Sequence, residues 1–198
     1  MSGFDLELQR LTRCRLAAHR CRSTSTSATT AAHPTFWLYI PATNADAFEL
    51  WISDEQGETV YEQTVELPNA EEIGILELSF ERLGLPALEP GQHYEWEFTL
   101  FSNFAEPASS TYSVVGKLER VELSARERSR LDSLARAQRL RTYEQRGLWH
   151  DMLAELVQLY RENPEDARIA RHWYRTLNRA GLAAFADAKF TDWEFTAE

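Results

Sequence analysis

Between Thr35 and Leu123 the chain runs through one strand-like stretch after another with no helical stretch among them. Thr35–Ile40 is aromatic and β-branched throughout. Phe48–Ser53 sets Phe48, Leu50 and Ile52 against Glu49, Trp51 and Ser53, and Asp54-Glu55-Gln56-Gly57 turns it into Glu58–Leu67 as a hairpin. Ile73–Phe80 follows, then a Pro- and Gly-bearing loop over Leu85–Gly91. Tyr94–Leu100 alternates most regularly, with Tyr94, Trp96, Phe98 and Leu100 on one side and Glu95, Glu97 and Thr99 on the other. Thr111–Leu123 supplies a last strand, expected to bend at Gly116. Parallel neighbours would need helical crossovers, so this order predicts an antiparallel β-sandwich, Ig-like, of about six to seven strands.

After Leu123 the period changes. Ser124-Ala125-Arg126-Glu127 has the S-x-x-E form in which hydroxyl and carboxylate satisfy the free N–H groups of a helix start. One helix is expected to run from there to about Arg146 and stop at Gly147. A second, about Trp149–Arg161, places Trp149, Met152, Leu153, Leu156 and Tyr160 on one face, and Asn163-Pro164 ends it. A third, about Glu165–Arg179, carries Ile169, His172, Trp173 and Leu177. The fold class is therefore α+β, a sandwich followed by a helical array of about three helices. The expected divisions are a flexible basic and Ser/Thr-rich leader at 1–32, an acidic sandwich at 33–123, a helical array packed on it at 124–182, and a tail at 183–198. Within the leader, 4–22 is at best a short basic helix, and Ser23–Ala32 reads as a flexible linker.

Charge bounds the partners. The net charge is −10, and residues 34–122 carry 17 acidic against 3 basic residues. A duplex binder neutralises phosphates with a basic surface, so nucleic acid is not expected, and an anionic bilayer is disfavoured for the same reason. No run of 18 apolar residues exists, so no transmembrane segment is predicted. The N-terminus lacks an apolar h-region, which predicts no secretory signal and suggests a cytoplasmic chain. With 43% apolar residues and six Trp, a packed interior needs no disulfide.

Chemistry-bearing motifs are missing from the sequence. It has no G-x-S-x-G, Walker A, G-x-G-x-x-G, H-E-x-x-H or C-x-x-C pattern, so no catalytic residue, cofactor or metal is assigned. Cys14, His19, Cys21 and His33 do not have the spacing of structural zinc modules. In Trp149-His150-Asp151, neighbouring helical side chains diverge by about 100°. His150 is expected to be exposed, and Asp151 to serve the first helical turn without sharing a site with it. His172 is expected to pack. The sheet's many carboxylates read as a solvated face rather than an acid–base pair.

Two features ask for more. Phe36, Leu38 and Ile40 lie on one side of their strand and Trp37 and Tyr39 on the other, so the second set, joined by Trp51, needs a cover of its own. The helical array is the preferred cover; a sugar ring stacked on an aromatic platform is the alternative. The region 124–146 also carries Arg126, Arg128, Arg130, Arg136, Arg139, Arg141 and Arg146. They form a solvated face, or one set against the acidic sheet or an acidic partner.

The segments His33–Pro41 (HPTFWLYIP), Leu88–Leu100, Gly116–Ser124 and Tyr143–Leu156 together resemble the bacterial domain-of-unknown-function family 928, from His33 to about Leu182. The resemblance implies no catalytic residues, since that family has no established activity. It implies an exported protein, largely of photosynthetic bacteria, in contrast to the missing signal. Gly147 and Asn163-Pro164-Glu165-Asp166 also resemble one and a half tetratricopeptide-type units, which favours protein binding. The leading expectation is a non-enzymatic interaction or structural module that binds another protein or an envelope component. Its contact residues are expected to be Trp37, Tyr39, Trp51, Trp149 and Trp173. A carbohydrate-binding sandwich using Trp37, Tyr39 and Trp51 is the alternative, and a hydrolase with an unrecognised carboxylate pair the second.

Overall fold

The structure, a computed structural model, describes residues 21–40, 45–67, 74–102, 110–179, 182–188 and 190–191. Seven strands come first: β1 (Cys21–Thr29), β2 (Thr35–Tyr39), β3 (Ala47–Asp54), β4 (Thr59–Glu66), β5 (Ile75–Ser79), β6 (His93–Phe101) and β7 (Ser110–Arg120). Four helices follow, α1 (Ala125–Asp132), α2 (Arg136–Arg146), α3 (Trp149–Glu162) and α4 (Ala167–Arg179). A short 3-10 turn at Ala183–Phe185 leads to β8 (Phe190–Thr191). The fold is mixed α+β.

The strands form a five-stranded sheet in the order β1-β7-β6-β3-β4 and a three-stranded sheet in the order β2-β5-β8. Alternation decides what each face buries. Phe48, Leu50 and Ile52 of β3, Tyr94, Trp96, Phe98 and Leu100 of β6, and Val114 and Leu118 of β7 point to one side. There they join Phe36, Leu38 and Ile40 of the other sheet in one apolar cluster. Trp96 lies opposite Gly116, where a Cβ would overlap the indole. The glycine predicted to bend the strand is there to make room for a ring.

Three expectations are corrected. The sheets are not wholly antiparallel: β1 pairs with β7, and β5 with β8, in parallel. Neither pair is consecutive in sequence, so the intervening chain serves as the crossover and no dedicated helix is required. Residues 21–29, within the segment expected to be flexible, form β1, with Thr29 wholly buried and the Ser27 hydroxyl donating to the Lys117 carbonyl at 3.0 Å. Small hydroxyl side chains that lack a hydrophobic period are still at home in an edge strand, because the backbone ladder supplies the order. The expected basic helix over 4–22, with Cys14 and His19, lies outside the described residues apart from its last two.

The helix count is four rather than three. The first stretch breaks after Asp132, where Ser133 turns its hydroxyl back to the Arg130 carbonyl at 2.7 Å, a bond that competes with helix continuation. The helix restarts at Arg136, with the Gln138 side chain accepting from the Ala135 N–H at 3.3 Å. The predicted capping box at Ser124 is present, with Glu127 N–H donating to the serine hydroxyl and the Glu127 carboxylate accepting from the Ser124 N–H.

Helices α2, α3 and α4 sit on the outer face of the three-stranded sheet. Trp37 and Ile75 are buried there with Leu140, Met152, Leu153, Leu156, Val157, Trp173, Leu177 and Leu182. Tyr39, Trp149, Tyr160, Phe185 and Phe190 pack at the margin of this second cluster. Each large side chain buried this way stabilises the junction by about 1.5–3 kcal/mol. An ion pair crosses it, Arg161 of α3 to Glu77 of β5 at 2.7 Å.

Candidate functional site

An open cleft of about 240 Å³ lies where the connection from β1 to β2 crosses the start of α3; its walls include Thr29, His33, Arg136, Tyr143, His150 and Asp151. Gly147, at φ 73°, ends α2 in the left-handed conformation and lets the chain reverse into α3, so His150 and Asp151 occupy that helix's first turn.

Both are buried, at 6% and 9% exposure, where His150 was expected in solvent. The reason is the path of the N-terminal segment. Residues 27–35 wrap around the helix start, so two side chains that leave α3 in different directions meet the same stretch of chain. Asp151 accepts from the Thr30 N–H at 3.0 and 3.2 Å and from the Thr30 hydroxyl. Burial raises its carboxyl above the ordinary aspartate value even though these donors act the other way. The His150 imidazole stacks on Phe36 with centroids 4.6 Å apart, and its Nε2 lies 2.9 Å from the Ser27 hydroxyl. It also bonds the Thr35 backbone, and burial lowers its pKa to about 4, so it is neutral at pH 7.

Tyr143 completes a trio of displaced groups, its phenol pushed up to about 12 by burial, with the Asp151 charge adding to the rise. Beyond it Glu155 is engaged by Arg139 and lies 3.4 Å from the Arg136 Nε. Perturbed titrations in a cleft mark a place to look for function. Here the imidazole is neutral, bonded to the Thr35 backbone with the Ser27 hydroxyl beside its Nε2, the aspartate is occupied by Thr30, and the phenol keeps its proton. The arrangement fastens β1 and the following turn to α3. Neither the Ser/Thr run nor Tyr143 carried a sequence signal for this role; the available hint was hydroxyl donors early in the chain and a carboxylate at a helix start.

The five expected contact residues divide. Trp37, Tyr39, Trp149 and Trp173 meet in the second cluster. Trp37 is 7% and Trp173 4% exposed. The Trp173 indole donates to the Ala186 carbonyl at 3.0 Å, and its ring lies 5.6 Å from that of Phe190. The Tyr39 ring lies 4.1 Å from Phe185. Trp51 is elsewhere, on the outer face of the five-stranded sheet, half-buried between Glu62 and Glu97 in register, its indole donating to Thr59 at 3.1 Å. Trp37, Tyr39 and Trp51 therefore share no platform.

The arginine row does not meet the acidic sheet among the described residues. Arg136 and Arg139 pair with Glu155 of α3, Arg136 also with Glu162, and Arg146 with Glu127 of α1 at 3.0 Å. His172 is half-buried beside Glu144, with Nε2 3.9 Å from the carboxylate. Among the described residues no three His, Cys, Asp or Glu side chains are placed to hold a metal ion, and no helix is long and apolar enough to cross a membrane.

A family model described as Domain of Unknown Function (DUF928) matches residues 16–190. The chain belongs to the DUF928 family. The DUF928 match begins ahead of β1 and ends on the first residue of β8, so β1 to β7, all four helices and the fastening between β1 and α3 lie within it. No curated protein matches the chain.

Proposed function

We propose that this DUF928 chain is a non-enzymatic interaction module that binds another protein through its helical array. The two sheets are read as the halves of a sandwich. On them α2, α3 and α4 lie as about one and a half tetratricopeptide-type units, which lean on the sheet in place of further repeats. The observation that carries the reading is the two-sidedness of α4. Its inner residues Trp173 and Leu177 are locked into the second cluster with Thr176 buried between them, while Tyr174, 50% exposed, faces out among Arg168, Arg171 and Arg175. A rigid element offering tyrosine and arginine to solvent has the composition of a binding surface. The cleft carboxylates, Asp151 and Glu155, are each engaged by neighbours, which favours this reading over hydrolysis.

Photo-crosslinking tests it. With p-benzoylphenylalanine in place of Tyr174, one protein of the source cells is expected to be captured, and excess unlabelled chain should compete it away. Capture no greater than from the same group at the exposed Glu122 would overturn the reading. The carbohydrate reading draws on Trp51 alone, half-exposed between two carboxylates. It requires glycan binding that Trp51→Ala removes.

A further inference from the structure

The interaction reading leaves the chemistry of the partner open, and the arginines of α2 and α4 narrow it. The chain contains 19 arginines and only two lysines, and residues 125–179 hold twelve of the arginines and no lysine. A planar guanidinium fork matches a carboxylate in a way an ammonium does not. Six of the twelve pair with carboxylates of this chain: Arg136, Arg139, Arg146, Arg161, Arg168 and Arg179.

The others include Arg141 of α2 and Arg171 and Arg175 of α4, for which no carboxylate partner is present among the described residues. They are not scattered. Glu144 bridges α2 to α4 by accepting from Arg179 at 2.5 Å and facing His172. Burial holds the His172 imidazole below its ordinary value; Glu144 acts against this, and the charges of Arg175, Arg179 and Arg141 add to it. Arg141 lies one turn before Glu144 on α2 and Arg175 one turn before Arg179 on α4, so the Glu144–Arg179 contact draws guanidiniums of two helices toward one patch. Arg171, Arg175 and Arg179 follow one another at intervals of four on α4, so like charges are stacked along one face and repel. The exposed Tyr174 stands beside them.

Resting on the interaction reading, the geometry points to a partner segment rich in Asp or Glu that lies across α2 and α4, its carboxylates taken by Arg141, Arg175 and Arg171. A bilayer or a nucleic acid is a poorer fit. Each presents an extended anionic surface, which would meet the −10 net charge of the whole molecule, whereas a short acidic segment needs only the local patch.

The probe is a short fluorescein-labelled peptide of alternating Glu and Ser, followed by anisotropy with the full chain at low ionic strength. The expected result is binding that weakens as salt rises, is absent for the Gln/Ser peptide, and falls about tenfold or more in Arg141→Gln/Arg175→Gln. It should be unchanged in Arg126→Gln/Arg128→Gln, two arginines on α1 away from the patch. No binding, equal weakening in the α1 variant, or tighter arginine-dependent binding to phosphatidylserine vesicles or oligo-dT would overturn the proposal. If Tyr174 crosslinking persists undiminished in Arg141→Gln/Arg175→Gln, the partner is not acidic and the interaction reading survives. If crosslinking is also absent in the parent chain, both fail.

Discussion

His150 is neutral because burial against Phe36 and the chain after β1 strips an imidazolium of most of its hydration. The unfolded chain takes up its proton near 6.5 and the folded chain only near 4, so stability is whole above 6.5 and falls as pH drops through that window. A gap of that size is worth about 3 kcal/mol. Urea titrations between pH 7 and pH 4 should show this slope, and His150→Gln should remove about one proton from it. Asp151 has the opposite sign: its raised pKa stabilises the fold below 3.8, and that contribution is lost as pH rises through its folded value. Asp151→Asn, which keeps an acceptor for Thr30, should change stability at neutral pH by less than about 1 kcal/mol, whereas Asp151→Ala orphans the Thr30 N–H and should cost about 1–3 kcal/mol. Gly116→Ala must displace the Trp96 ring and should cost a similar amount, read as a shift in the denaturation midpoint. Gly116 stood out in sequence but as a bend rather than as room for Trp96, and neither His150 nor Asp151 announces its partners. His150 sits next to a polar residue at a helix start, and its burial is decided by chain more than a hundred residues away.

Elements show where sequence patterns suffice. β3, β4, β6 and the Ser124 helix start were legible because alternation, a four-residue turn and a capping box are local signals. β1 was not, since STSTSAT has no hydrophobic period and its order comes from the β7 ladder and from α3. The break at Ser133 was missed because a serine hydroxyl bonding back to Arg130 leaves no mark that differs from an exposed helical serine. A chain beginning at Ala31 therefore tests what β1 contributes. It leaves the β7 edge bare and Asp151 without its donors, so lower thermal stability and concentration-dependent aggregation are expected. A melting curve and light scattering indistinguishable from the full chain would contradict this.

At the scale of the whole molecule, the face of β2 that carries Trp37 makes sheet and helices one cooperative body. Trp173→Ala should cost about 3–5 kcal/mol and shift sheet and helix signals together. Separate transitions in far-ultraviolet dichroism and tryptophan fluorescence would show two independent halves. The need for such a cover was readable from the double apolar face of Thr35–Ile40; the separation of Trp51 from Trp37 was not, because strand order rather than strand sequence assigns them to different sheets. The parallel partnership of the first and seventh strands also governs birth at the ribosome. Ser27 must wait for Leu118, and Thr30 for Asp151, which lies 121 residues later. The opening stretch therefore emerges long before anything exists to receive it, and closing such distant contacts slows folding. The nascent chain is therefore expected to pass through a partly assembled stage with an unzipped sheet margin, a natural substrate for chaperones.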